Sequence, residues 1–268
     1  MPILRAFVLA AVFCLISTFA QAQVSILNET FNELGNTSVK VDAVFAPAAQ
    51  QGSTPFRITI SNRSGKDRTW KVNIGDSAPR KLSTDITESI LVENGAVVTR
   101  EIYLPVAPLF AAYTYRSVRV NITSPGLGQL TRSIGHEPND IFPAIGISKA
   151  LARRSRFELD EHVKNRTPGD ARFALPYLPE QLPINWRGYS SLDCLLIDLK
   201  SWEGLNDTQT RSLLEWVRMG GRLDIFVPES QKNFAITDLG IDGVRTRVKA
   251  AQSGQLSLGQ VHVKKWDG

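Results

Sequence analysis

Histidine, cysteine and methionine are scarce in this chain, with three His, two Cys and two Met among 268 residues. Cys14 and Cys194 form no Cys-x-x-Cys pair, and His136, His162 and His262 show no His-x-x-x-His spacing. The ligand patterns of zinc sites and the disulfide frameworks of small secreted domains are therefore excluded. His162 follows Asp160-Glu161, and this trio reads as solvated surface. No glycine-rich loop follows a strand with phosphate-binding spacing, and no Gly-x-Ser-x-Gly turn is present. Neither a metal nor a cofactor is expected. Internal repeats and low-complexity tracts are also missing, and no apolar run after the first 22 residues is long enough to span a membrane.

Charge of one sign is in short supply as well. Lys and Arg number 31 against 26 Asp and Glu, a formal charge of +5. The densest basic cluster, Lys149 to Arg156 with Arg153, Arg154 and Arg156, reads as the solvated side of a helix. No nucleic-acid partner is expected. The apolar fraction of 43% and charged fraction of 21% are those of a globular protein, and the length leaves room for two domains with separate cores.

Residues 1–22 stand apart. Arg5 supplies a positive start, Ala6 to Phe19 an apolar run, and Ala20-Gln21-Ala22 a small-x-small site before Gln23. This is the pattern of a cleaved secretory signal peptide. The expected location is the periplasm or cell envelope, with Cys194 the one cysteine left after cleavage and the net charge reduced to +4 by loss of Arg5.

From residue 23 to 125 the hydrophobic period is two. Val39, Val41, Ala43 and Phe45 alternate, and so do Phe56, Ile58 and Ile60. Asn62-Arg63-Ser64-Gly65 then leads to Trp70, Val72 and Ile74, which reads as a hairpin. Asn94-Gly95 favours a tight turn, and Val118, Val120 and Ile122 make a late strand. Short strands without a helical period predict an antiparallel β-sandwich of immunoglobulin-like type, with Trp70 and Phe56 at its centre. Ser124-Pro125-Gly126 opens a connector expected over residues 126–140.

Residues 141–268 read as an α/β domain. Phe142 to Ser148 and Ala171 to Leu175 are its first two strands, with Lys149 to Phe157 as a short helix. Leu192 to Leu199 is a near-continuous apolar run, as a strand covered on both faces requires. Asn206 with Gln209 has the spacing of a capping box. Thr210, Leu213, Leu214 and Val217 share one helical face, and Gly220-Gly221 ends the helix. Leu223 to Val227 is the next strand, closed by Pro228. Leu256 to Val263 reads as a terminal hairpin.

The pattern Leu182-Pro183, Trp186, Tyr189, Asp193, Leu205, Gln209, Leu213-Leu214, Trp216-Val217, Gly220-Gly221-Arg222-Leu223 resembles the class I glutamine-amidotransferase-like domain. More narrowly, it resembles the version found in exported bacterial proteins of unknown function, often joined to a β-sandwich and a membrane anchor. The resemblance implies a flavodoxin-like fold. It also implies a place for a nucleophilic cysteine, on a glycine-flanked turn after a strand. The corresponding stretch here, Pro228-Glu229-Ser230-Gln231-Lys232, has neither cysteine nor glycine. Cys194 sits in an apolar strand, where a thiol is packed rather than reactive.

Ligands of open α/β sheets bind beyond the carboxyl ends of the strands. Those ends carry Ser148 and Lys149, then Asp198 with Lys200, Trp202 and Glu203, then Glu229 with Ser230. Asp198, Trp202 and Glu203 offer an aromatic platform with two acids, of the kind that meets sugars, but the favoured reading is structural: an Asp capping a loop and a Trp covering the edge of the core. Two function classes follow: a non-catalytic envelope module with an envelope or membrane protein partner, and a carbohydrate hydrolase with Asp198 and Glu203 as acid and base. A third is glycan or peptide binding by the sandwich. A membrane anchor is expected only if the chain continues beyond Gly268.

Overall fold

A computed structural model describes residues 23–45, 52–77, 84–105, 116–136, 144–153, 174–228, 230, 239, 241, 245–249, 251–256 and 259–266. The expected signal peptide, His162 with its acidic neighbours, and Glu229 lie outside the described residues. The molecule is a β-rich mixed fold, in which two antiparallel sheets precede a largely parallel one with few helices.

The first sheet has the order β1 (Gln23–Phe31), β2 (Thr37–Val44), β3 (Ser53–Ser61) and β6 (Val97–Pro105). The second runs β5 (Thr84–Val92), β4 (Arg68–Ser77), β7 (Arg116–Thr123) and β8 (Leu130–His136). All their pairings are antiparallel. Alternate side chains of both sheets meet in one core, in which Phe56 and Trp70 are each 1% exposed. Both were expected at its centre.

The expected hairpin is corrected. β3 and β4 lie in different sheets, and residues 62–67 carry the chain across the core instead of back along one sheet. Asn62 holds this crossing: its buried Nδ2 donates to Lys66 O (2.9 Å) and Val92 O (2.8 Å), and its Oδ1 accepts from Ser64 N (3.1 Å). An Asn side chain bonded to backbone two residues on is a turn former in its own right. Asn94-Gly95 does form a turn, with Gly95 at φ +83°, but it too joins strands of different sheets. The expected connector is also revised, since Leu130–His136 is edge strand β8, paired with β7 through the turn at Pro125-Gly126.

The third sheet has the order β10 (Ala174–Tyr177), β9 (Ile145–Ser148), β11 (Cys194–Asp198), β12 (Arg222–Pro228), β15 (Gly259–Trp266), β14 (Ala251–Leu256) and β13 (Arg245–Lys249). The first five are mutually parallel and the last two antiparallel. In chain order the parallel strands run 2-1-3-4-5. Residues 171–173 of the expected second strand lie outside the described residues, within which it is Ala174–Tyr177; the terminal hairpin is longer than expected, with β13 added at its edge. Residues 149–153 are helical.

Two helices connect β11 to β12: α1 (Leu199–Glu203), where a loop was expected, and α2 (Asp207–Arg218). The capping box is present, with Gln209 N donating to Asn206 Oδ1 (2.9 Å) and Asn206 N to Gln209 Oε1 (3.2 Å). Gly220, at φ +111°, ends the helix by donating to Val217 O (3.0 Å). The buried face is Gln209, Ser212, Leu213, Trp216 and Val217. It is turned slightly from the expected one because Trp216, the largest side chain available, takes the centre and leaves Leu214 half-buried.

Sandwich and α/β half are locked together. Val44 and Phe45, at the end of β2, belong to the core of the parallel sheet. Phe45 meets Tyr177 edge-on at 6.1 Å and lies 6.3 Å from Tyr189. On the outer face of the first sheet, Arg57 pairs with Glu101 (2.7 Å) and its guanidinium also donates to Glu180 O (3.1 Å) and Gln181 O (3.3 Å). Glu101 further accepts from Tyr103 Oη (2.5 Å) and Ile184 N (3.1 Å). Burial first, and then the bond to Glu101, hold the Tyr103 hydroxyl well above its ordinary pKa.

Candidate functional site

The strand order reverses between β9 and β11, so their carboxyl ends form the crevice where an open parallel sheet receives ligands. The residues at those ends are Ser148 and Asp198. Ser148 is fully buried and Asp198 is 9% exposed. Ser148 Oγ donates to Asp198 Oδ2 (2.7 Å), Ser201 Oγ donates to the same oxygen (2.6 Å), and Ser201 N donates to Oδ1 (3.0 Å). Asp198 is thus the N-cap of α1 and bridges two strand ends. Burial by itself would raise this carboxyl. The bonds from Ser201 and Ser148 outweigh burial and leave it below the usual carboxylate range. The carboxylate at these strand ends is thus committed to the chain's own hydroxyl and amide donors.

The residues expected around Asp198 do not converge on it. Lys200 and Glu203 are exposed, and Trp202 is 5% exposed, packed in the core beneath α1 rather than offered as a platform. α1 begins directly after Asp198, and its turn sends Leu199 and Trp202 inward together. Ser230 is exposed in a turn. Asp193 serves the fold, accepting from Ala144 N (2.7 Å) and returning a bond to Ala144 O (2.8 Å) where β9 and β11 begin.

Cys194 lies at the start of β11, and burial, followed by the nearby Asp224 charge, pushes its thiol up to about 12. At neutral pH it is a packed thiol, not a thiolate. Asp224, 1% exposed, is held between Arg222 (3.0 Å) and Lys264 (2.8 Å). Burial opposes ionisation of Asp224, but the bonds from Arg222 and then Lys264 prevail, and its pKa is lowered. His262 bonds to Gln260 (2.9 Å), and burial lowers its pKa. Among the described residues no group of three or more His, Cys, Asp or Glu side chains could hold a metal, and no helix is long and apolar enough to cross a membrane.

A cleft of 510 Å³ opens where the two halves meet, between edge strands β5 and β6 and the segment around Trp186. Gly52 and Ser53 form its floor. Ser53 N donates to Ser190 Oγ (2.9 Å), and a Cβ on Gly52 (φ +78°) would overlap the Ser190 carbonyl. Trp186 is half-buried with the Arg187 guanidinium 5.7 Å from its ring centre, and Glu88 faces the cleft from β5. Neither Arg187 nor Glu88 has an ion-pair partner among the described residues. Sequence reasoning did not find this cleft. Trp186-Arg187 was visible as an aromatic-cationic pair near a turn, but nothing in the sequence links it to Glu88, 98 positions earlier.

No protein-family model matches this chain, and no curated protein matches it. Among solved structures, β-glucuronidase 2 of Bacteroides uniformis bound to cyclophellitol-6-carboxylate aziridine is similar at 10% identity and a TM-score of 0.30, over 75% of this chain and 34% of that one. A calcium-binding mutant of the same enzyme gives 9% identity and 0.25, over 70% and 23%. The putative ApaA protein of Bordetella pertussis gives 9% and 0.23, over 41% and 93%. This chain thus spans about a quarter to a third of the glucuronidases. Likenesses of this size decide neither the fold nor the chemistry.

Proposed function

We propose that the protein is a non-catalytic interaction module of the cell envelope, exported by its N-terminal segment. In this reading an immunoglobulin-like sandwich is fused to a flavodoxin-like domain of the class I glutamine-amidotransferase type that has no nucleophile. The 2-1-3-4-5 order of the parallel strands supports the flavodoxin-like part, and the protonated, packed Cys194 supports the loss of amidotransferase chemistry. The observation that carries the proposal is Asp198. Its carboxylate, at the carboxyl ends of β9 and β11, is bonded by Ser148 and Ser201 and so committed to holding the fold rather than free to act on a substrate. The interlocked halves give a rigid body suited to holding partners in place.

Purified protein is to be assayed for glutamine hydrolysis and for cleavage of nitrophenyl glycosides, with Cys194→Ser and Glu203→Gln beside the wild type. The expected outcome is no turnover above buffer. Turnover abolished by either substitution would overturn the proposal in favour of an amidotransferase or of the carboxylate hydrolase. Location is tested by fractionating the producing cells, where recovery in the cytoplasm with residues 1–22 intact counts against export.

A further inference from the structure

We propose that the cleft between the two halves is a binding site for a neutral saccharide, with Trp186, Arg187 and Glu88 as its recognition groups. The proposal deepens the interaction-module reading by naming what the module binds. The cleft's volume of 510 Å³ lies within the range of small-molecule sites, and a junction between domains is a common place for one. Two of its walls are tied across the joint. β6 is tied to the α/β half through Glu101 and Ile184 N, and Ser53 is tied to Ser190. A site on so firmly fixed a frame is preorganised and loses little entropy on binding.

The chemistry of the lining selects the ligand class. Glu101 and Tyr103 are satisfied by one another and by Arg57, so they shape the wall without offering free charge. Among the described residues, the charged lining groups without an ion-pair partner are Glu88 and Arg187, whose guanidinium lies over the Trp186 ring. Their charges cancel, so a ligand bearing net charge finds as much repulsion as attraction. Hydroxyl groups fit both, because each can donate to the carboxylate and accept from the guanidinium. The half-buried indole of Trp186, with Ile86 and Pro105, supplies the apolar surface on which the C–H face of a pyranose ring lies. An apolar ligand would leave both charges desolvated and unpaired, which is costly.

The test uses the whole mature chain and titrates cellotetraose, maltotetraose and chitotetraose, followed by tryptophan fluorescence and saturation-transfer NMR. The same protein is sedimented with isolated peptidoglycan sacculi, which separates a free sugar from an envelope polymer as the source. At least one of these probes is expected to bind saturably. Trp186→Ala should weaken that binding about tenfold or more, and Glu88→Gln, which keeps the shape and removes the charge, several-fold without changing the melting temperature. Trp186→Phe, which keeps an aromatic face, should retain most of the affinity even if Trp186→Ala is poorly folded. Failure of every probe to bind, or binding indifferent to Glu88→Gln and to Trp186→Ala alike, overturns the proposal. Failure here leaves the non-catalytic reading in place. Binding followed by cleavage of the sugar would instead sink that reading and keep the site.

Discussion

In the two-sheet half, the side chains of the core run from Leu27 to Ile122 and all belong to that half, whereas the core of the parallel-sheet half takes in Val44 and Phe45 from the end of β2. The dependence is one-sided. The sandwich closes on its own residues across two sheets, while the α/β half seats two aromatic residues, Tyr177 and Tyr189, against a phenylalanine that the sandwich supplies. A chain built this way holds its halves together by packing, with the largely buried polar contacts of Arg57 and Glu101 added beside it.

Replacing Phe45 by Ala probes this asymmetry most severely. Loss of a fully packed Phe should cost about 3–5 kcal/mol. In hydrogen exchange the loss should fall on the amides of β9, β11 and β12, with β3 and β4 keeping their protection. Trp70→Ala should cost a similar amount and strip protection from the sandwich first. Equal loss in both halves for both variants would mean that the molecule unfolds as one cooperative unit and that the one-sided picture is wrong.

Next in size is the Arg57–Glu101 pair. Glu101 has its side chain 7% exposed and Arg57 18%, so removing one partner strands the other in a poorly solvated place. Arg57→Ala should destabilise by roughly 3 kcal/mol, the low end for breaking a buried pair. It should also free the segment from Glu180 to Leu182, to whose carbonyls Arg57 donates. A double-mutant cycle with Glu101→Gln in urea should return a coupling well above that of exposed pairs. A coupling near zero would make the joint purely apolar.

What the sequence disclosed differs between the halves for a physical reason. Alternation identifies which side chains face a core, and Phe56, Trp70 and Ile74 were read correctly on that basis. It carries no information on which sheet a strand joins, because strands on opposite walls of a sandwich show the same period. The Asn62 crossing was therefore read as a hairpin, and β8, with its polar Thr131, Arg132 and Ser133, as a connector. In the α/β half the signals were local. The Asn206–Gln209 box and Gly220 set helix ends within a few residues, and those ends were legible. Aromatic plus acids is ambiguous at Trp202, because a buried corner with an N-cap looks the same; the reading favoured from the sequence, a capping Asp198 and a core Trp202, is the one found. The cleft of Trp186, Arg187 and Glu88 joins residues brought together only by the packing of one half on the other, a contact with no local signature.

The bonded carboxylate at the ends of β9 and β11 gives a smaller effect with a pH signature. Asp198→Ala should cost about 2 kcal/mol at neutral pH, the upper end for loss of an N-cap. The folded pKa of Asp198 is lowered, so its contribution is complete above the ordinary carboxylate pKa of about 4. The contribution is lost as pH falls through the lower folded value. Wild type and variant should therefore differ in urea midpoint at pH 7 and converge in acid. A difference that persists unchanged at pH 2 would mean that the side chain acts by packing rather than charge. Formate, small enough for the vacated position, should restore part of the lost stability in the variant and none in the wild type.

The smallest expected effect separates the halves most cleanly. Asn206→Ala removes one arm of the capping box and leaves α2 with an unmatched amide, at a cost of about 1 kcal/mol. Gln209, the other arm, is also fastened through its Nε2 to Pro179 O (2.9 Å) and Leu182 O (3.2 Å). These are the carbonyls of the segment that Arg57 grips from the sandwich side. If that segment transmits strain, Asn206→Ala and Arg57→Ala should cost more together than apart, because Arg57→Ala removes one anchor of the turn and Asn206→Ala loosens the backbone of Gln209, which supplies another. Strict additivity would place the cap outside the joint and confine its effect to α2.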